Sequence, residues 1–374
     1  MEEWQIPSIW WLNPLFKIGY KRRLEVDDMY NVCEQDSSDN LGDRLEKEWN
    51  KELRKRESGG KPSLLKCLIR MFGVEYALLG VILFIEEGTK IAQPLFLGQL
   101  IRYFTPGSTV SSTDAYLYAM GVSLCAIILA IFHHPYFFGV QRIGMQLRVA
   151  CCSLLYRKAL RLNNTALGQT TTGQIVNLMS NDVNRFDTAA IFLHYLWVGP
   201  AQAIPVLIIL WNELGPSAMA GFGVLLLLVP VQSWMGKLFS KFRHKTAIHT
   251  DERVKVMNEI ISGMRVIKMY CWEKPFGQLV EKIRGKEVKL LLQRSYIDAL
   301  FDGFFFACTK VIILLTFLAY ALVGGAMIAK KVYLTVALHQ TIRLSVTRFI
   351  PLAVWLSSEA LVTLGRLQVC QFLV

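Results

Sequence analysis

The sequence predicts an all-α membrane protein with six transmembrane helices that continue as long cytoplasmic extensions. Hydrophobic residues make up 53% of its 374 residues and charged residues only 19%, against about 25% charged in an average soluble domain. The apolar residues are bunched into runs long enough to cross a bilayer, which takes about 20 helical residues. This composition excludes a disordered chain and argues against a soluble enzyme.

Six apolar runs are predicted to span the membrane: 74–104, 115–141, 188–212, 214–236, 299–328 and 332–358. The second, third and fourth contain no Asp, Glu, Lys or Arg, whereas the others carry a few charges. Lys and Arg are concentrated outside the runs, with 13 in the first 73 residues, 6 in 142–187 and 14 in 237–298. Because these residues favour the cytoplasmic side, both termini and both long loops are predicted to be cytoplasmic. The net charge of +12 therefore reflects topology, and no nucleic-acid partner is expected.

The two long cytoplasmic loops are predicted to be helical, because apolar residues recur in them every three or four positions. Leu147, Cys151 and Leu154 follow this spacing in the first loop. Each loop also has a distinctive turn, a short amphipathic helix near 168–183 and an aromatic segment near 269–277. Turns so far from the membrane suit docking onto a cytosolic partner. The alternative is that they only close helical hairpins.

Three stretches of the sequence are distinctive: TTGQIVNLMSNDV at 171–183, ISGMRVIKMYCWE at 261–273 and WLNPLFKIGYKRRLEVDDMY at 11–30. They resemble, in that order, the first coupling segment, the lead into the second coupling helix and the lasso motif before the first six-helix domain of one family. That family is the ATP-binding cassette (ABC) exporters of subfamily C, the multidrug-resistance-associated proteins. The resemblance extends over essentially the whole chain.

The resemblance implies the type-1 transmembrane fold of ABC exporters. It implies a lasso segment at 1–61, an elbow helix at 62–73, a six-helix domain at 74–368 and the truncated start of a linker to a nucleotide-binding domain at 369–374. It also implies contacts with nucleotide-binding domains at the coupling residues, which are Thr172, Gly173, Gln174, Tyr270 and Trp272.

Motifs for ATP hydrolysis are missing from the sequence. It contains no G-x-x-x-x-G-K-[ST] phosphate-binding loop, no Walker B motif and no Leu-Ser-Gly-Gly-Gln signature. The chain is therefore not expected to hydrolyse ATP alone or to hold a cofactor or metal of its own. ATP and Mg are expected on nucleotide-binding domains of other polypeptide, which would be partners together with a second six-helix domain and membrane lipid.

Ionisable side chains inside the spans are costly there and typically face a cavity or a partner. The candidate substrate-binding residues combine such groups with nearby aromatic rings: Lys90, His133, Phe137, Phe192, Trp197, Phe305, Arg343 and Phe349. Cations beside aromatic faces suit amphipathic organic anions, the substrate class that the resemblance also implies. Alternatively, Lys90 pairs with Glu86 or Glu87 one helical turn away. His133 can equally make a helix–helix hydrogen bond, and each Phe can pack against lipid or neighbouring helices.

The sequence therefore predicts the substrate-translocating domain of an ATP-driven exporter of amphipathic organic anions, in the plasma membrane. The alternative is a truncated product that does not transport and acts only by associating with full-length partners. A six-span channel is disfavoured, because no span has an Arg at every third position and no T-V-G-Y-G filter is present.

Overall fold

The computed structural model describes residues 12–57, 59, 61–162 and 172–372, and these are helical without any strand. Their α-helices, numbered in chain order, are α1 Asn13–Lys21, α2 Ser38–Glu57, α3 Leu64–Tyr103, α4 Ser112–Leu160, α5 Thr172–Asn177, α6 Arg185–Phe192, α7 Tyr195–Leu214, α8 Ala218–Ser262, α9 Met264–Met269, α10 Glu273–Leu322, α11 Ala329–Leu344 and α12 Ile350–Gln371. Single 3₁₀ turns lie at Val26–Asp28, Glu34–Asp36 and Gly215–Ser217, and π-helical turns lie at Leu178–Asp182 and Ser345–Phe349.

Five helical stretches of the described chain are long and apolar enough to cross a membrane: Leu64–Tyr103, Ser112–Leu160, Ile175–Leu227, Glu273–Leu322 and Ala329–Gln371. The third stretch contains the predicted span 188–212 and the first part of 214–236. A break separates these two runs at Gly215, whose φ of +62° favours glycine. The all-α membrane fold is confirmed, and the count of six spans stays a prediction.

The long helices confirm that the predicted loops continue the apolar runs as helix. Helices α4, α8 and α10 contain 49, 45 and 50 residues, or about 70 Å each at 1.5 Å per residue. That length is roughly twice the hydrocarbon core of a bilayer. The elbow helix at 62–73 stays a prediction, and the structure has α3 running unbroken from Leu64 to Tyr103. No proline occurs between Leu64 and Pro94 to interrupt its backbone hydrogen bonds.

The chain divides into two compact units. The terminal unit comprises Met1–Val74, Ile143–Phe186 and Thr363–Val374, and the bundle unit comprises Glu75–Arg142 and Asp187–Val362. Each is built around its own buried contacts, and each is considered separately below.

The terminal unit is organised around α2. Leu41, Leu45 and Trp49 lie four residues apart on one face of this highly charged helix, and all three are buried. Arg157 of α4 binds Asp43 at 2.5 Å and Glu46 at 2.9 Å. These contacts fasten the N-terminal segment to the long helix of the same unit.

Glu52 lies on the same face of α2, one turn after Trp49, and is also buried. Lys55 and Arg70 bind its carboxylate at 2.7 and 2.8 Å. Hydrogen bonds from Lys55 and then Arg70 lower the pKa of Glu52 to about 2. The carboxylate is therefore ionised at neutral pH, and its ion pairs join α2 to the first turns of α3.

In the bundle unit, a buried carboxylate joins the long helices α8 and α10. Glu287 of α10 accepts hydrogen bonds from Thr250 Oγ1 at 2.7 Å and from Arg253 Nε at 2.8 Å, both on α8. Arg284, one turn earlier on α10, donates a third at 2.7 Å. The hydrogen bond from Arg284, followed by that from Thr250, lowers the pKa of Glu287 from its usual 4.5 to about 2.

Replacing Glu287 by Gln is expected to loosen this helix pair, because a neutral amide forms weaker bonds to the two guanidinium groups. Backbone amides of α8 and α10 near Thr250 and Glu287 should exchange several-fold faster at pH 7, as measured by hydrogen–deuterium exchange with mass spectrometry. Because the folded pKa is depressed, the wild-type contribution is complete above about pH 4.5 and is lost as the pH falls towards 2.

Glu281→Gln is the matched control, because Glu281 is exposed on the same helix. It should leave exchange unchanged. Equal exchange in wild type and Glu287→Gln would show that apolar packing alone holds the two helices together.

Candidate intramembrane binding site

A compact ion cluster lies on α3, within a stretch that is long and apolar enough to cross a membrane. Glu86 and Glu87 are almost fully buried, with 1% and 5% of their surface exposed. Lys90 Nζ lies 2.8 Å from Oε1 of each carboxylate. Residues three and four positions apart share one face of a helix, so α3 itself brings the ammonium to both acids. Such pairing is necessary, because an unpaired buried ion costs several kcal/mol.

The cluster continues onto three further elements. His133 Nδ1 of α4 lies 2.9 Å from Glu86 Oε1. Gln202 Nε2 of α7 donates to Glu87 Oε2 at 2.6 Å. Ser345 Oγ, in the π-helical turn after α11, donates to Gln202 Oε1 at 2.5 Å. We call Glu86, Glu87, Lys90, His133, Gln202 and Ser345 the polar network.

The π-helical turn at Ser345–Phe349 is the irregular part of this site. Ser345, Val346 and Thr347 are buried in it, and Thr347 Oγ1 donates back to the Arg343 carbonyl at 2.5 Å. Pro351 follows directly and lacks the N–H that a regular helix would direct to the Thr347 carbonyl. Turns of this kind inside helices occur frequently at functional sites.

Aromatic rings lie beside the polar network. The Phe137 ring is 4.8 Å from that of His133. The Phe349 ring is 5.5 Å from Phe192 and 4.5 Å from Tyr195. Rings at these separations attract one another through their edges and faces. The bundle unit thus places aromatic surface next to ionisable groups, as the sequence pattern predicted.

A second polar contact, centred on His194, was not predicted from the sequence. The His194 ring stacks on Tyr76 at 3.9 Å, and its Nδ1 lies 3.3 Å from Tyr136 Oη. Tyr76 Oη donates to the Ala190 carbonyl at 2.6 Å. Trp197 lies one turn further along α7, half exposed, with its ring 6.1 Å from Phe84.

The structure groups some of the predicted substrate residues and separates others. Lys90, His133 and Phe137 lie together, and Phe192 contacts Phe349, whereas Trp197 contacts Phe84 instead. Arg343 is half-buried in the last turn of α11, two residues before Ser345. The side chain of Phe305 lies outside the described part of the structure. Substrate binding by all eight residues stays a prediction.

The structure contains both contacts that were the alternatives to substrate binding by Lys90 and His133. Lys90 pairs with Glu86 and Glu87, and His133 joins α4 to α3. Two carboxylates thus face one ammonium, so the surroundings of Lys90 are not purely positive. Gln202 and Ser345 were missed, although a glutamine inside a run free of charged residues was a usable signal.

The coupling segments lie in separate parts of the chain. Helix α5 begins at Thr172, as the first motif predicts. The surroundings of Thr172, Gly173 and Gln174 lie outside the described part of the structure. In the second segment, α9 ends at Met269, Cys271 adopts a φ of +55°, and α10 begins at Glu273.

The Tyr270 and Trp272 rings of the second segment stack at 5.1 Å, and both are about half exposed. Met269 beside them is more exposed still. We call these three side chains the aromatic platform. Contiguous exposed apolar side chains of this kind mark surfaces that bind a partner.

Gln202→Leu is expected to destabilise the bundle unit, because it leaves Glu87 Oε2 and the Ser345 hydroxyl without this partner. Each buried polar group that loses its partner costs about 1–3 kcal/mol. The apparent melting temperature, followed by fluorescence-detected size-exclusion chromatography after heating, should fall by several degrees. Ser345→Ala removes only one of the two bonds and should cost less. A Gln202→Leu protein as stable as wild type would contradict this role.

Comparison with known proteins agrees with the fold and the motifs. Residues 76–345 match the family model of the ABC transporter transmembrane region. ATP-binding cassette sub-family C member 4 from Mus musculus is 51% identical over 363 residues, and the Homo sapiens protein of that name is 50% identical over the same length. Each alignment covers 96% of this chain but 27% of the relative, so the chain spans about a quarter of the length of these curated relatives.

The resemblance to subfamily C, first inferred from three short motifs, is thereby confirmed. The helices long enough to cross a membrane fall largely within the matched residues. The chain belongs to the family of ABC transporter transmembrane regions, and it is an integral membrane protein.

Proposed function

We propose that this chain forms the substrate-translocating part of an ATP-driven exporter of amphipathic organic anions. The observation that carries the proposal is the ammonium of Lys90, held within an apolar helix by Glu86, whose other partner His133 lies against the Phe137 ring. Ionisable groups at such depth are expensive and usually serve transport. The similar subfamily C proteins support the ATP-driven part of the proposal.

The proposed site recognises two features of a substrate. Its anionic group would be drawn to Lys90 and to Arg343, the half-buried cation beside the π-helical turn. Its apolar body would lie against Phe137, Phe192 and Phe349, whose rings line the same unit. An ion pair at one end and ring contacts at the other select amphipathic anions over either small ions or neutral lipids.

The energy for transport is proposed to come from nucleotide-binding domains that hold ATP and Mg. The aromatic platform is the proposed contact surface, together with the α5 segment. Its exposed rings would be buried by the partner, and the backbone of Cys271 fixes their direction. A second six-helix domain would complete the pathway, with both termini in the cytoplasm and the whole in the plasma membrane.

Lys90→Gln, made in the complete transporter, should reduce transport of an amphipathic anion at least tenfold and change transport of a neutral amphipath by less than twofold. The reason is that Gln keeps N–H donors on a side chain only one bond shorter but removes the charge. Arg343→Ala should act in the same direction. The measurement is ATP-dependent uptake into inside-out membrane vesicles, normalised to protein amount.

Lys66→Gln is the control for this pair, because Lys66 is an exposed cation near the start of α3. It should behave as wild type. Equal losses for anionic and neutral substrates in Lys90→Gln would exclude charge recognition by Lys90.

Trp272→Ala should uncouple ATP hydrolysis from transport, because it removes half of the stacked platform. Substrate-stimulated ATPase activity of the purified transporter should fall several-fold, while equilibrium binding of the same substrate stays within twofold. Tyr296→Ala serves as the control, since Tyr296 is also an exposed aromatic residue but lies two dozen residues along α10. Wild-type stimulation in Trp272→Ala would rule out the platform as a coupling surface.

A further inference from the structure

The ammonium group of Lys90 already binds two carboxylates in this structure. It lies 2.8 Å from Glu86 Oε1 and 2.8 Å from Glu87 Oε1. An anionic group that approaches Lys90 must therefore compete with two carboxylates that cannot diffuse away. Charge-assisted hydrogen bonds to carboxylates are among the stronger ones in proteins, so a device that weakens them would control access to the cation.

The charges of the polar network point to such a device. Two carboxylates face one ammonium, so the described network carries one net negative charge while His133 is neutral. A negative site repels an anion, and in apolar surroundings the excess charge is itself unfavourable. One proton on His133 would bring the network to neutrality.

A proton on His133 would lie beside the carboxylate that Lys90 binds. His133 Nδ1 and Lys90 Nζ both contact the same atom, Glu86 Oε1, at 2.9 and 2.8 Å. Glu86 Oε2 is buried without a hydrogen-bond partner among the described residues, so this carboxylate is under-satisfied. An imidazolium at His133 would hold Glu86 as a second cation, and Lys90 would no longer be needed there.

His133 is also the accessible member of the pair. Its side chain is 47% exposed, against 1% for Glu86, so its ring can exchange protons when the buried carboxylate cannot. The other ionisable or polar groups of the site are Glu87 and Lys90 of α3, His134 and Tyr136 of α4, Tyr195 and Gln202 of α7, and Ser345. Arg343 of α11 lies two residues before Ser345.

We propose that His133 is a proton switch for anion binding: when it takes up a proton from water, it pairs with Glu86, and Lys90, then held by Glu87 alone, becomes available to an anionic ligand. The ligands are a proton and an organic anion, and both bind more tightly when the other is present. The inference rests on the proposed function, because it uses Lys90 as the anion contact. No bond other than that of the transferred proton forms or breaks.

The test is the pH dependence of anion binding by the complete transporter in lipid nanodiscs. N-dansyltaurine serves as the probe, because it is a fluorescent amphipathic sulfonate whose acid group stays ionised throughout the range. Its affinity should rise about five- to tenfold as the pH falls from about 8 to about 5.5, the range in which imidazoles titrate. Calorimetry in two buffers of different ionisation enthalpy should show proton uptake on binding.

Two substitutions should abolish the pH dependence of the affinity, one by keeping the affinity high and the other by keeping it low. Glu86→Gln removes one of the two carboxylates that compete for Lys90 and leaves the network without net charge, so affinity should be high at every pH. His133→Asn keeps an N–H donor near the position of Nδ1 but cannot gain a charge, so affinity should be low at every pH. Glu75→Gln is the matched control on α3, an exposed carboxylate outside the network, and should keep the wild-type slope.

The outcomes separate the switch from the proposed function. The proton switch would be overturned if Glu86→Gln or His133→Asn kept the pH dependence of the wild-type affinity. It would also be overturned if Glu86→Gln bound the probe weakly at every pH. If one network variant fails to fold, the other still decides, because each has its own expected level. Saturable binding that is unchanged in Lys90→Gln would instead overturn Lys90 as the anion contact, and with it the basis of the proposed function.

Discussion

Two adjacent carboxylates within an apolar helix constrain the whole bundle unit. Glu86 and Glu87 are buried at a place where an uncompensated charge costs several kcal/mol. The helix that carries them can supply only one cation, Lys90, on the same face. Further hydrogen bonds must come from other helices, and His133 supplies one to Glu86 and Gln202 one to Glu87. Satisfying two acids thus brings three helices and a π-helical turn into contact.

Close helix packing makes these contacts possible, and small residues permit it. At Gly199 of α7, an added Cβ would lie 2.6 Å from Ile350 Cδ1, and at Gly80 of α3 it would lie 2.9 Å from the His194 ring. A larger residue at either position would have to displace the neighbouring side chain. Membrane helices generally associate through such small residues, since lipid offers no hydrophobic driving force between them.

The sequence predicts contacts within one helix, because they follow from helical periodicity, whereas it does not predict contacts between helices. The pairing of Lys90 with Glu86 and Glu87 follows from positions one turn apart, and the helical extensions follow from their 3–4 spacing. The bond between Gln202 and Glu87 joins positions 115 residues apart, and no local pattern encodes it. The elbow helix at 62–73 rests on the family resemblance alone, because the sequence between Leu64 and Pro94 contains no proline that would mark a boundary there.

The polar network can rearrange cheaply because its donors have alternative acceptors. Lys90 contacts both Glu86 and Glu87, so losing one leaves the other. Ser345 Oγ lies 2.5 Å from Gln202 Oε1 and 3.2 Å from the carbonyl of Ile342 in its own helix. Releasing Gln202 would therefore leave the serine with a partner. Buried polar groups are costly mainly when they are left unpaired, so a network with spare acceptors can open and close without unfolding the helices that carry it.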